Sequence, residues 1–126
     1  ITGVLTLHNH LDMQDDDIIK LGTGDDLQIY HDGTNSTITN TTGDLYITDS
    51  GGNIYIQSKH GEQSIVAFAD GAVDLYYNNS KKLETTSGGV TVTGTLAATA
   101  VTGDGSELTN LPASGDSNDI TASLFI

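Results

Sequence analysis

From Gly24 onward, glycine recurs at positions 33, 43, 52, 61 and 71, in steps of nine or ten residues. Glycine reaches the positive φ that tight turns require, so this spacing predicts a reversal at each step and leaves room only for short extended segments between them. The intervening residues agree. Apolar side chains stand two apart at Leu27/Ile29, Leu45/Ile47, Ile54/Ile56 and Leu75/Tyr77, with Val73 just ahead of the last pair. A separation of two puts both members on one face of a strand. Similar pairs precede the block at Leu5/Leu7, Leu11/Met13 and Ile19/Leu21, and Val90/Val92 follows it. No stretch keeps a helical period over a comparable length.

Four of these segments share a template in which Asp or Asn precedes the first apolar residue: DLQI from Asp26, DLYI from Asp44, NIYI from Asn53 and DLYY from Asp74. Such a series is an imperfect internal repeat. The Asx residue is expected to bond its neighbouring backbone and launch the chain out of a turn, and the second and fourth template positions are expected to point inward. Tyr30, Tyr46, Tyr55, Tyr76 and Tyr77 fall within or beside these segments and read as packing or outward ladder residues.

Strands this short, with one greasy face, do not form a stable sheet by themselves, so their faces must close on something. One closure stacks coils of a single chain as a β-helix, and the other wraps three chains about a common axis. Composition favours partners: Leu, Ile, Val and Phe total 31 of 126 residues, there is no tryptophan, and no cysteine is present to form a disulfide. The expected fold is therefore all-β, an elongated fibre of short Gly-punctuated strands (β-helix or triple-β-helix-like), homotrimeric.

The charge balance excludes other classes. Seventeen acidic residues against four lysines give a net charge of −13, a poor match for nucleic acid or an anionic membrane surface. The longest apolar run, residues 65–69, is far too short to cross a bilayer, so no membrane insertion is expected. The texture divides the chain into leading strands over 1–21 that continue an upstream module, a repeat β segment over 22–96, and a junction over 97–112. Beyond them lies a linker over 113–126 that opens the next module. The chain thus reads as a piece of a longer one. Within the junction, Ser106 could cap a single helical turn through Asn110 that Pro112 ends.

Two spots invite a metal reading. On an axis shared by three chains, His8 and His10 would offer six imidazoles to one ion. Alternation instead places both histidines with Asp12, opposite Leu5, Leu7, Leu11 and Met13, which predicts that they face water. Asp15, Asp16 and Asp17, and then Asp25 and Asp26, are the densest carboxylates, and GTGDDL from Gly22 is similar to half of a calcium-binding β-roll nonapeptide. The leucine comes one place early and the glycine pairs do not recur, so solvated acidic turns are expected. His8, His10, Asp25 and Asp26 thus stand as weak metal candidates, and neither a cofactor nor a catalytic residue is implied. Glycoside hydrolysis would need two carboxylates at a defined separation, and with so many acids in the chain no particular pair stands out.

LGTGDDLQIYHDGTNS (residues 21–36), NNSKKLETTSGGVTVTGTL (78–96) and GDGSELTNLP (103–112) together resemble a repeat of tail-fibre and related virion structural proteins of marine bacteriophages. The likeness covers roughly residues 20–112, and Thr37 departs from it where such repeats usually carry an aromatic. It implies an extracellular, virion location in a tail fibre and a homotrimeric β architecture. It also implies a structural, non-enzymatic part in host attachment, with other virion proteins and a host surface glycan or protein as partners. The competing expectations are a bacterial β-solenoid surface adhesin and a polysaccharide-depolymerising tailspike.

Overall fold

The computed structural model describes residues 3–110. Pro112, the linker over 113–126 and the apolar run with Phe125 lie outside the described residues. The chain divides into two compact units, Ile1–Gly51 and Gly52–Ile126, so the repeat segment read over 22–96 is shared between them. Among the described residues every regular element is a strand, and both sheets are antiparallel with sequential strands as neighbours.

The first unit holds a three-stranded sheet of β1 (Ile18–Leu21), β2 (Leu27–His31) and β3 (Ser36–Asn40). Asp25, at φ 55°, and Gly22, at φ 90°, reverse the chain between β1 and β2. Between β2 and β3, Asp32 Oδ1 accepts from the amides of Thr34 at 2.9 Å and Asn35 at 2.7 Å, and Gly33 takes φ 84°. These amide bonds to the anion, Asn35's first, hold the Asp32 carboxyl below its ordinary pKa.

The second unit holds a five-stranded sheet of β4 (Ile54–Lys59), β5 (Glu62–Ala67), β6 (Val73–Tyr77), β7 (Ser80–Thr86) and β8 (Gly89–Val92). The β6–β7 hairpin turns on Asn78 and Asn79 at φ 48° and 59°, the paired left-handed conformation whose twist suits a two-residue hairpin. Asn79 also braces the neighbouring hairpin, because its Oδ1 accepts the Gln63 amide at 2.7 Å.

Several expectations are revised. Residues 3–17 contain no strand, so Leu5/Leu7 and Leu11/Met13 have the spacing of a strand without a partner to pair with. DLYI from Asp44 is likewise unpaired, whereas the other three template copies enter β2, β4 and β6. The turn expected at Ser106 is not helical. Asp104 Oδ1 accepts the Ser106 amide at 2.9 Å, the Leu108 amide bonds Gly105 O at 3.0 Å, and Asn110 at φ 58° leads the chain away from helical geometry. Among the described residues there is neither a solenoid nor a closed barrel, and no helix is long and apolar enough to cross a membrane.

Candidate functional site: two bare aliphatic sheet faces

Strand register determines which side chains share a face. In the larger sheet the pairing aligns Ile56, Ile65, Leu75, Leu83 and Val92 in one row across all five strands. Ile54, Ala67, Val73, Thr85 and Val90 form the adjacent row on the same face. The smaller sheet repeats the arrangement with Ile19, Ile29 and Ile38 in register, flanked by Leu21 and Leu27. Aliphatic side chains meeting across strands are the unit from which sheets gain stability.

Among the described residues these faces are only partly covered: Leu27, Ile54, Ile65 and Leu83 are half-buried, and the other isoleucines, leucines and valines of the rows are exposed. Ile38 is 61% exposed and Leu75, at the centre of its row, is 38% exposed. Among the described residues Val66 is the one hydrophobic side chain fully withdrawn from water, at 2%. It lies on the opposite face of the larger sheet, in the row Tyr55, Val66, Asp74, Glu84 and Thr91.

That opposite face carries a polar cluster centred on Asp74, which is only 3% exposed. Asp74 Oδ2 accepts from Tyr76 Oη at 3.0 Å and sits 3.3 Å from Lys81 Nζ, while Lys81 also pairs with Glu84. Asp74 Oδ1 is buried without a partner. The bond to Asp74 raises the Tyr76 pKa, since ionising the phenol would set two anions side by side. Lys81 is raised chiefly by Glu84 and further by Asp74. Strict alternation would put Lys81 and Glu84, three apart, on opposite faces. A β-bulge prevents this: the register slips where Leu75 faces Leu83 but Tyr76 faces Lys81, which turns Lys81 towards Asp74.

The template therefore works differently from expectation. Its first residue bonds the third position instead of its own backbone. Tyr46 Oη donates to Asp44 Oδ2 at 3.4 Å, Tyr76 Oη to Asp74 Oδ2, and Asn53 Nδ2 donates to Tyr55 Oη at 3.2 Å. In the copy from Asp26, Gln28 replaces tyrosine and reaches Asp25 O instead, at 3.1 Å. Residues two apart share a face, so the bond is geometrically natural. In β6 the first position is the covered one and the second, Leu75, is the bare one, the reverse of what the pattern suggested.

The weak metal candidates are not members of the aliphatic rows. His8 and His10 are exposed, and His10 Nδ1 lies 3.0 Å from Asn9 Oδ1. Asp25 pairs with Lys20 at 2.8 Å. Asp26 accepts the Thr42 hydroxyl at 2.9 Å and packs so close to Gly22 that a Cβ there would meet its Oδ2 at 2.6 Å. Among the described residues no three His, Cys, Asp or Glu side chains converge to hold an ion. A cleft of about 400 Å³ between the β5–β6 and β7–β8 turns is lined by Asp70, Gly71, Ala72, Thr85, Thr86 and Ser87. It presents one carboxylate, where glycoside hydrolysis requires two.

No family model, curated protein or solved structure matches the chain.

Proposed function

We propose that this chain is a structural and adhesive segment of a bacteriophage tail fibre, assembled as a homotrimer and serving host attachment without catalysis. The single observation that carries this reading is the pair of bare aliphatic faces. Two sheets each align a row of isoleucine, leucine or valine in register, and among the described residues neither row is fully covered. Apolar area left in water is driven to find cover, and a neighbouring copy offers a surface of matching chemistry.

The strand order favours closure between chains over coils stacked within one. A solenoid coil brings back parallel strands through long connections, whereas here every neighbour is antiparallel and sequential. The acidic surface suits a water-exposed rod and opposes contact with nucleic acid. At strand spacings of about 4.8 Å and rises of about 3.3 Å per residue, the two faces together span on the order of 600 Å². A stable interface usually needs about 800 Å² per partner, so assembly of this chain should depend on concentration.

Antibodies raised against the chain, applied to purified virions with gold labelling for electron microscopy, test the assignment. Label along the tail fibres is the expected outcome; particles whose protein inventory lacks the chain would overturn it.

A further inference from the structure

We propose that residues 44–48 are a strand that completes its hydrogen bonding on a sheet edge of a second copy of this chain. This inference rests on the assembly proposed above and adds to it a main-chain link between copies.

The segment is built as a strand but has no main-chain partner among the described residues. It repeats the template that forms β2, β4 and β6, and DLYI from Asp44 matches the DLYY of β6 in its first three residues. Its side chains already hold strand geometry, because Tyr46 Oη reaches Asp44 Oδ2 as Tyr76 reaches Asp74. Yet the main-chain N–H and C=O groups of Leu45, Tyr46, Ile47 and Thr48 make no hydrogen bond among the described residues. Leu45 is exposed, and Ile47 is 68% exposed. An extended segment with free backbone groups and a free aliphatic face is the complement of a sheet edge.

The chain's own smaller sheet does not supply that edge. Pairing with β3 would require a reversal straight after Asn40. Instead the Thr41 amide bonds Asp26 O at 2.8 Å and the Thr42 hydroxyl bonds Asp26 Oδ1, so the chain runs on past the start of β2. Asn40 Nδ2 fixes this exit by donating to the carbonyls of Thr42 at 2.9 Å and Gly43 at 3.0 Å.

A second copy does offer suitable edges. The outer strands are β1, β3, β4 and β8. Lys20 lies in β1 and Lys59 in β4, the charge that commonly guards an edge against pairing. The β3 strand, STITN, and the β8 strand, GVTV, carry no charge at all. Strand 44–48 of one copy therefore adds to β3 or β8 of its neighbour, bringing Leu45 and Ile47 to the shared aliphatic face.

Hydrogen–deuterium exchange of the full chain, read together with its mass by sedimentation at high and low concentration, tests this. The expected result is a trimer in which alternate amides within 45–48, those facing the neighbour's edge, exchange at least about 100-fold more slowly than in the dilute chain. Tyr46→Pro, which removes one ladder N–H, should weaken assembly at least about tenfold while both sheets persist. A trimer with fast exchange at 45–48 overturns the strand link and leaves the trimer reading standing. Slow exchange in a monomer places the partner within the same chain and also overturns it. A monomer with fast exchange at every concentration removes both proposals.

Discussion

Leu75 stands in the middle strand of the five-stranded sheet, with Ile65 and Leu83 beside it in register, so it reports on the bare face with the least interference from edges. Leu75→Thr keeps a good strand former and removes most of the apolar surface that a neighbouring copy would cover. Leu75 is 38% exposed in the single chain. Full burial of a leucine contributes roughly 2 kcal/mol, so covering that remainder contributes about 0.8 kcal/mol per copy and about 2.4 kcal/mol over three copies. At about 1.4 kcal/mol per factor of ten, the trimer association constant should fall about 50-fold. Sedimentation equilibrium reads that constant, and circular dichroism of the dilute protein checks that the strands survive. Thr91→Ala, on the opposite face, is the control and should shift association less than about threefold. Equal shifts from the two substitutions, or full assembly of Leu75→Thr, would refute the assignment of the aliphatic face as the one covered.

Other substitutions probe other parts of the account. Ile47→Asp should break assembly and Thr48→Asp should leave it nearly unchanged, as measured by light scattering, because Ile47 shares the apolar side of the segment with Leu45 and Thr48 lies on the other side. Asn79→Ala places a Cβ residue without a turn-forming side chain at φ 59° and deprives the Gln63 amide of its 2.7 Å acceptor. The left-handed backbone and the lost bond should together cost about 2 kcal/mol in urea unfolding. The lowered pKa of Asp32 makes its turn contribution present above the ordinary aspartate value and lost as pH falls through the folded value. The stability gap between the native chain and Asp32→Ala should therefore be full near neutrality and close only in acid below that ordinary range; a gap that persists there would argue against the amide bonds as its source.

Much of the fold could be read from spacing. The pairs Ile19/Leu21, Leu27/Ile29, Ile54/Ile56, Leu75/Tyr77 and Val90/Val92 each mark a real strand, and Gly33, Gly61 and Gly71 mark real turns. The strands that spacing did not reveal have physical reasons to be hidden. β3 and β7 carry one aliphatic each, Ile38 and Leu83, so neither contains a pair two apart. In β5 the consecutive run Ile65, Val66, Ala67 hides alternation, because it feeds both faces of the sheet. Conversely, Leu5/Leu7 and Leu11/Met13 show that spacing by itself does not make a strand, since pairing also needs a partner in register.

The candidate site was legible only in part, and Asp74 shows why. Alternation says which residues share a face but not which face is covered, so Leu75 was expected inside and Asp74 outside. The Lys81 bulge is similarly invisible to a period of two, although it alone brings Lys81 to Asp74 and Glu84 on one face. The Asp-x-Tyr contacts could have been anticipated from the template, where the acid and the phenol recur two apart at Asp44 and Asp74.

Sedimentation equilibrium of the purified 126-residue chain, followed from micromolar concentrations to about 1 mM, bears most directly on whether copies of the chain shelter each other's aliphatic rows. Mutual shelter requires the mass to rise with concentration to three times the 13.2 kDa of one chain. A folded chain that stays at 13.2 kDa over the whole range, with its strand signal intact, would contradict it.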